Sequence, residues 1–412
     1  MHADEARDAG ALLGHALDEL TQLVRDVHRA VSARLFDLLG ARADPVRLLH
    51  DGVASVGYGA TRLGVRAIPA AAGLAVAALH NPATSSLHDG PRGRFALNAL
   101  NGFWGDRIAM QRTALATELR IRTHDGPLRR LPANVVHDVA GTATGRLIVF
   151  VHGLCANDLS WSWGSARRWG EPGITYGSLL RDTAGWTPLY VSYNSGLHVS
   201  ANGRELADQL EELTGRWPVP VTEIALVGHS MGGLVVRSAA HQAAQSSQDW
   251  VGLVRQLIGL GTPHLGAPLE RAVSKGTRLL ARAPETRPFA KWLNRRSVGI
   301  KDLRYGAVVE DDWAGFDPDD VVDDRCMPGS FLAGINYCAA SATFSRRPTG
   351  WLAHDLLVQH ASATGNGPLR RLPFEAHRSF HLARKHHFDL LGDPLLYEQL
   401  CTWLGAPTAL PG

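Results

Sequence analysis

The chain has 412 residues, of which 45% are hydrophobic and 20% are charged, as in a globular protein long enough to bury a large core. Its formal net charge is only +3, so no overall electrostatic field points to a nucleic acid partner. The four cysteines lie far apart and form no C-x-x-C pair, which argues against a structural zinc site and a disulfide framework; they are Cys155, Cys326, Cys338 and Cys401.

The N-terminal region, residues 1–112, is predicted to be a helical extension. Its first long helix has an apolar residue at every third or fourth position, which places one apolar stripe along the helix; the stripe comprises Leu20, Val24, Val27, Val31, Leu35 and Leu38. Gly40 is a suitable stop for this helix. The first residues lack the basic and apolar segments of a signal peptide, which favours a cytoplasmic location.

A second apolar stretch, residues 67–79, is too short to span a bilayer and follows Arg62 and Arg66. Packing against the rest of the protein is the commoner fate of such a helix. The alternative is peripheral contact with a membrane surface beneath the two arginines. Residues 81–93 are rich in Pro, Gly, Ser and His and are predicted to form a loop. The oligomeric state is left open by the sequence.

From about residue 114 the pattern changes to alternating strands and helices. Residues 119–122 alternate as an edge strand does, and residues 133–139 are expected to pair with them. Continuous apolar runs typical of buried parallel strands follow; they lie at residues 147–151, 189–191, 224–227, 257–260 and 335–339. Residues 113–412 are therefore predicted to form an α/β domain with a mostly parallel sheet.

The strand pattern is interrupted by an insertion at about residues 266–330. The insertion is predicted to be helical near residues 272–282, and its length favours a lid or cap. Its acidic end contains Asp317, Asp319, Asp320, Asp323 and Asp324. This run lacks the glycine and terminal glutamate of an EF-hand loop, so a solvated edge is expected rather than a calcium site, and no metal or other cofactor is predicted.

Residues 228–232 form a G-x-S-x-G pattern with Ser230 at its centre. An apolar strand-like run precedes the pattern and a helix-compatible run follows it, which is the context of a nucleophile elbow. In such an elbow the serine occupies a strained turn, and the small residues on either side let the backbone fold back on itself. Ser230 is therefore the candidate nucleophile.

A serine nucleophile needs a histidine base and a carboxylate that orients the histidine. In enzymes with a nucleophile elbow, the three residues occur along the chain in the order serine, carboxylate, histidine. Asp355 lies on a predicted loop after a strand, and the loop before the last helix contains His387, the preferred base. His386 is the second choice for the base and His381 the third.

The tetrahedral intermediate of ester cleavage also needs two N–H donors for its oxyanion. The first candidate is the backbone N–H of Met231, which follows the nucleophile. The second is the N–H of Leu154 in the loop after the strand at residues 147–151, with Cys155 as the neighbour that would replace it. Trp161 and Trp163 either line an acyl pocket or form a hydrophobic staple beneath this loop.

Together these motifs resemble those of lipases and esterases of the α/β-hydrolase superfamily, in particular a bacterial lipase-like branch related to the PGAP-type GPI inositol-deacylases. The resemblance rests on residues 151–154, 228–233, 260–266, the Asp355 loop and residues 387–391. It implies an α/β-hydrolase fold with an inserted lid or cap, and hydrolysis of an apolar or lipid-like carboxylic ester through an acyl-enzyme.

Two other functions are compatible with the sequence. The first is an acyltransferase or thioesterase that uses the same three residues, because the residues around Ser230 do not select the acceptor. The second is a membrane-associated scaffold in which the N-terminal helices bind lipid, an interpretation that rests on the apolar residues 67–79. The complete set of catalytic residue types in the required order favours the enzyme.

Overall fold

The computed structural model describes residues 1–79, 85–139, 141–317, 326, 331–349, 353–368 and 370–408. The strands are β1 Arg120–Thr123, β2 Arg146–Val151, β3 Thr187–Ser192, β4 Glu223–His229, β5 Val254–Leu260, β6 Asn336–Thr343 and β7 Ser379–Ala383. The α-helices are α1 Ala3–Leu39, α2 Asp44–Ala78, α3 Pro91–Met110, α4 Pro132–Asp138, α5 Ser165–Trp169, α6 Tyr176–Ala184, α7 Val199–Gly215, α8 Met231–Gln245, α9 Pro268–Leu280, α10 Arg287–Leu293, α11 Val298–Asp302, α12 His360–Ala363 and α13 Pro394–Leu404.

The seven strands form one sheet in the order β1, β3, β2, β4, β5, β6, β7. β1 is antiparallel to β3, and every other neighbouring pair is parallel. Alternate residues of a strand face opposite sides of a sheet. Val149 of β2 therefore packs in the core on the α7 and α8 side, and its neighbour Phe150 packs on the α6 and α13 side. The predicted α/β-hydrolase fold, with a mostly parallel sheet and an N-terminal helical extension, is confirmed.

The prediction that residues 133–139 form a strand beside β1 is wrong, because this segment is helix α4. Pro132 stands in the first turn of α4, where its missing N–H costs no hydrogen bond. Val135 and Val139 are both buried, and their spacing of four residues places them on one side of a helix. The backbone partner of β1 at this edge is Arg129, whose N–H donates to the Ile121 carbonyl at 2.7 Å.

One compact unit comprises Met1–Leu97, Ile108–Ala116 and Ala272–Arg296. Within it, α1 and α2 form an antiparallel hairpin, and α1 ends where predicted, with Gly40 at φ 72° as its C-cap. The apolar residues 67–79 belong to α2, which packs against α1. A Cβ added to Gly73 would lie 2.6 Å from the Ala6 carbonyl oxygen, so glycine is needed for this close approach.

The other compact unit comprises Asn98–Arg107, Thr117–Arg271 and Ser297–Gly412 and contains the sheet. The predicted division into residues 1–112 and 113–412 remains a prediction, as does the role of residues 266–330 as a lid. Of the acidic run at the end of that insertion, only Asp317 lies among the described residues. In the part of the chain that the structure describes, no helix has the length and apolarity to cross a membrane.

Candidate active site

Ser230 lies between the last residue of β4 and the first residue of α8. Its backbone has φ 55° and ψ −124°, a conformation that costs energy in a residue with a side chain. The Ser230 N–H donates to the Leu260 carbonyl of β5 at 2.8 Å, which anchors the turn to the sheet. The side chain of this partly exposed residue therefore stands at the carboxyl end of the parallel strands, the edge where sites of open α/β sheets are found.

Two glycines of the G-x-S-x-G pattern permit this turn. A Cβ added to Gly228 would lie 2.3 Å from the backbone nitrogen of Gly233, and a Cβ added to Gly232 would lie 2.2 Å from the Val151 carbonyl oxygen. Both distances are shorter than any van der Waals contact, so a larger residue at either position would push α8 away from β2 and β4. The glycines thus allow the start of α8 to pack directly on backbone.

His387 and Asp355 form a buried pair in which Nδ1 of the imidazole lies 2.7 Å from Oδ2 of the carboxylate. Both residues are only 1% exposed. The other carboxylate oxygen, Oδ1, accepts the N–H groups of Leu357 at 3.0 Å and Val358 at 2.8 Å. The carboxylate is thereby fixed, and because it only accepts hydrogen bonds, the proton of a neutral His387 is assigned to Nδ1.

The remaining ring nitrogen of His387, Nε2, is buried and has no hydrogen-bond partner among the described residues. A buried imidazole with one nitrogen held by a carboxylate and the other unpartnered is arranged to accept a proton. The hydrogen bond between Ser230 and Nε2 is not formed in this side-chain arrangement. Such catalytic hydrogen bonds are often long before substrate binds.

The ring of His229 connects the elbow to His387. His229 Nε2 lies 3.1 Å from the His387 carbonyl oxygen, and the two ring centroids are 4.6 Å apart. Burial holds the pKa of His229 well below its ordinary value, so this imidazole stays neutral and donates from Nε2. On the other side, a Cβ added to Gly261 would lie 3.0 Å from His387 Cε1. His387 is thus held between the elbow and the end of β5.

The loop after β2 lies directly against the elbow, since a Cβ added to Gly153 would lie 2.9 Å from Ser230 Cβ. In this loop the N–H of Cys155 donates to Ser195 Oγ at 3.1 Å, so it is already used. Among the described residues, the N–H groups of Leu154 and Met231 have no hydrogen-bond acceptor. Leu154 therefore suits the second oxyanion donor better than Cys155 does.

The Cys155 thiol is unsuited to act as a nucleophile. Burial raises its pKa to about 11, so at neutral pH it remains a thiol rather than the reactive thiolate. Its backbone has φ 59°, a strained value that turns the loop after Gly153. The role of Cys155 is therefore in the shape of the loop.

The other two candidate bases do not contact Asp355. The side chain of His386 is 44% exposed and lies 3.4 Å from Asp389, which accepts the His386 N–H as a local cap. His381 Nε2 is hydrogen-bonded to the Thr343 hydroxyl at 2.8 Å. His387 is the one of the three that pairs with the carboxylate.

The residues that hold the loop after β2 from the end of β3 were not predicted from the sequence. The Tyr193 hydroxyl donates to the His152 carbonyl at 2.8 Å, and the two rings stack with centroids 4.4 Å apart. Ser195 then accepts the N–H of Cys155. The sequence signal for these residues is the polar run 192–195 directly after a buried strand. The carboxyl ends of parallel strands share one edge of the sheet, so this run and the loop after β2 are expected to be neighbours.

The two tryptophans predicted to line an acyl pocket or to form a hydrophobic staple differ in their exposure to solvent. Trp161 is 1% exposed and packs edge-on against Phe150, with ring centroids 4.9 Å apart, so it is part of the core. Trp163 is 37% exposed and lies 6.1 Å from the ring of Phe388, which is itself 43% exposed. The ring of Phe388 lies 5.6 Å from that of His387. An exposed aromatic pair therefore borders the candidate base.

Residues 142–319 match the model of the family described as PGAP1-like alpha/beta domain. This range includes the loop after β2 and the elbow, and the match confirms the resemblance seen in the motifs. Among curated proteins no match to this chain is found.

Similar solved structures include three that share between 14% and 18% of their residues with this chain. The mature form of the lipase BlEst2 from Bacillus licheniformis is 18% identical over 64% of this chain and 92% of its own, with a TM-score of 0.38. A lipase-esterase related protein from Clostridium acetobutylicum is 14% identical over 64% and 96%, with a TM-score of 0.33. A thermophilic esterase from Thermogutta terrifontis is 14% identical over 64% and 90%, with a TM-score of 0.34.

Proposed function

We propose that this protein is a serine hydrolase that cleaves carboxylic esters through an acyl-enzyme. Ser230 is the nucleophile, His387 the general base and then the general acid, and Asp355 the residue that orients the base. The observation that carries the proposal is the buried pair of His387 and Asp355, 2.7 Å apart, next to a serine on a strained elbow. The N–H groups of Leu154 and Met231, which have no acceptor among the described residues, complete the set.

The reaction follows from the positions of these groups. His387 Nε2 accepts the hydroxyl proton as Ser230 Oγ bonds to the acyl carbon, and the carbonyl oxygen becomes an oxyanion held by the two backbone N–H groups. The bond from the acyl carbon to the alcohol oxygen then breaks, and the alcohol leaves with the proton from Nε2. Water repeats the sequence on the acyl-enzyme. Asp355 stabilises the imidazolium that forms in each half of the reaction.

An apolar ester is the substrate that the surroundings of the base favour. Trp163 and Phe388 expose aromatic surface beside His387, and an exposed apolar surface next to catalytic groups supports binding of an apolar acyl or alkyl chain. This observation supports an apolar ester in general. A lipid-like ester is the form of this substrate that we propose.

The test is the substitution Ser230→Ala, which removes the nucleophile without adding atoms. Hydrolysis of a p-nitrophenyl ester should fall by about 10⁴-fold or more, and labelling by a fluorophosphonate should disappear. The matched control is Ser341→Ala, because Ser341 Oγ also lies 2.8 Å from a histidine nitrogen, that of His360, but stands inside β6 without an elbow.

Two results would count against the proposal. They are substantial hydrolysis or labelling by Ser230→Ala, and an equal loss of both in Ser341→Ala with its fold intact. An acyltransferase or thioesterase would use the same groups, so products formed with an alcohol acceptor or from a thioester distinguish these activities from ester hydrolysis.

A further inference from the structure

Helix α9 is amphipathic, but its polar side is the buried one. From residue 272 onward its apolar residues recur at the spacing of a single stripe along a helix; they are Ala272, Val273, Gly276, Leu279 and Leu280. None of the five is buried, and Leu279 is 64% exposed. The buried residues in this part of α9 are instead Ser274 and Thr277.

Polar contacts hold α9 in this orientation. Arg296 Nη2 donates to Ser274 Oγ at 3.0 Å, and the Thr277 hydroxyl donates to the Ser274 carbonyl at 2.9 Å. The polar side of α9 is therefore satisfied inside the compact unit that comprises residues 272–296. A helix of a globular protein normally buries its apolar stripe, so the outward-facing stripe of α9 indicates an apolar partner outside the protein.

Helix α10, which follows α9, also exposes large apolar side chains. α10 packs against α1, Ala290 is its buried residue, and Arg295 directly behind it pairs with Glu19 of α1 at 3.0 Å. Phe289 and Trp292 are 44% and 42% exposed, and their spacing of three residues places them next to each other on the helix surface. Tryptophan is favoured at the boundary between a membrane and water.

The segment that contains these side chains is strongly basic. Residues 272–296 include seven basic residues and one acidic residue, a net charge of +6, whereas the whole chain has a net charge of +3. Five of the basic residues are exposed; they are Lys275, Arg278, Arg282, Arg287 and Lys291. The one acidic residue, Glu285, pairs with Arg34 of α1 at 2.5 Å. Helices α1 and α2 of the same compact unit together carry a net charge of −2, so the positive charge is concentrated in residues 272–296.

This combination of charge and exposed apolar surface fits an anionic lipid membrane. Helices that lie on such membranes carry Lys and Arg together with exposed Leu, Phe and Trp side chains. A solvated charged surface would have no need of the outward stripe on α9. A nucleic acid would attract the basic residues through its phosphates but would leave the aliphatic stripe in water.

We propose that residues 272–296 bind the surface of an anionic lipid membrane. The exposed basic side chains contact the phosphates of the lipid headgroups. Leu279, Phe289 and Trp292 enter the boundary between the headgroups and the acyl chains. This inference is independent of the proposed ester hydrolysis.

The test measures binding of the full chain to sedimenting vesicles, made either of phosphatidylcholine alone or with about 30% phosphatidylserine added. The wild-type chain should bind the anionic vesicles far more tightly than the neutral ones. The triple variant Lys275→Gln, Arg282→Gln and Lys291→Gln should bind them about 100-fold more weakly, because each basic residue near an anionic surface contributes about five-fold. The matched control is Arg92→Gln, Arg216→Gln and Arg255→Gln, which removes the same charge from exposed positions elsewhere and should bind like the wild-type chain.

A second pair of variants tests the apolar part of the contact. Leu279→Ser should weaken binding to the anionic vesicles about 10-fold, because the leucine side chain leaves water when the membrane binds. The matched control is Leu131→Ser, which removes another leucine of similar exposure, 57%, and should leave binding unchanged. An attraction due to charge alone would be the same in both variants.

Helix content by circular dichroism shows whether the variants are folded. If a variant unfolds, the wild-type chain still decides the matter, because no binding to vesicles, or equal binding to neutral and anionic vesicles, would overturn the proposal. A triple variant that binds as tightly as its matched control would also overturn it. Binding of the wild-type chain to RNA but not to vesicles, lost in the triple variant and kept in Leu279→Ser, would identify a nucleic acid site instead.

Discussion

The substitution Asp355→Asn tests the orientation of the base with almost no change in shape. Oδ1 of Asp355 accepts two backbone N–H groups, from Leu357 and Val358, so the carbonyl oxygen of an asparagine must take the place of Oδ1. Its NH₂ group then takes the place of Oδ2, which lies 2.7 Å from His387 Nδ1. Because NH₂ only donates, Nδ1 must become the acceptor, and the proton of a neutral imidazole moves to Nε2. His387 then has no lone pair for Ser230.

The expected loss follows from this change of tautomer. In serine proteases the corresponding substitution leaves the geometry intact and lowers kcat by about 10⁴-fold, which is about 5 kcal/mol of transition-state stabilisation. We expect a loss of this size in kcat for a p-nitrophenyl ester, with a small change in KM. The free energy of unfolding should change little, because asparagine retains the two hydrogen bonds from the backbone N–H groups.

The matched control is Asp389→Asn, which makes the same chemical change two residues after His387. Asp389 caps the turn by accepting the His386 N–H at 2.9 Å and does not contact the base. Its substitution should leave kcat within a few-fold of the wild-type value. The reasoning fails if Asp355→Asn keeps more than a tenth of the wild-type kcat, or if the two variants lose activity equally while both remain folded.

Three further predictions concern the aromatic border, the elbow and the buried histidines. Trp163→Ala should raise KM for an octanoyl ester about 10-fold and leave that for an acetyl ester unchanged; equal effects on both esters would contradict it. Gly232→Ala, whose Cβ would lie 2.2 Å from a carbonyl oxygen of β2, should lower the free energy of unfolding by about 1–3 kcal/mol, whereas Gly215→Ala, with open space around it, should not. Burial holds the pKa of His229 and His264 well below the ordinary value near 6.5. Below pH 6.5 the unfolded chain therefore binds more protons than the folded chain does. The free energy of unfolding should then fall by up to about 1.4 kcal/mol per pH unit for each. His264→Gln should remove about 1 kcal/mol of the difference between pH 6.5 and 5.5 in denaturant titrations, because a histidine of the unfolded chain is already half protonated at pH 6.5.

The central strands and the elbow could be predicted because their signals are local. A buried parallel strand is apolar on both faces, so residues 147–151 and 257–260 were recognisable without knowledge of their neighbours. The elbow requires glycines at fixed offsets from Ser230, and the structure shows the backbone contacts that exclude a Cβ there. Local steric requirements can be recognised in the sequence without knowledge of the residues that pack nearby.

Segments whose structure depends on distant residues could not be predicted in the same way. Residues 133–139 were expected to be a strand, but Val135 and Val139 are buried by neighbours that are far away in the sequence, and this burial selects the helix. The contact of Ser195 with Cys155 joins two loops 40 residues apart. Neither loop alone indicates that Ser195 accepts the N–H of Cys155. The sequence therefore does not show that the N–H of Leu154 is the one left for an oxyanion.

The long helix α1 shows how a correct pattern can leave its partner undetermined. Its apolar stripe was predicted from spacing, and the structure has the helix, yet Leu20, Val24 and Leu38 are 48%, 52% and 79% exposed. Periodicity states which residues share a face, but the surface that covers them is decided by what else packs there. On α1, the contact with α2 is made through Gly14 and Asp18 instead. Because packing of an apolar face supplies most of the stability of a helix, the spacing of the α1 stripe predicts the helix without identifying the surface that packs against it.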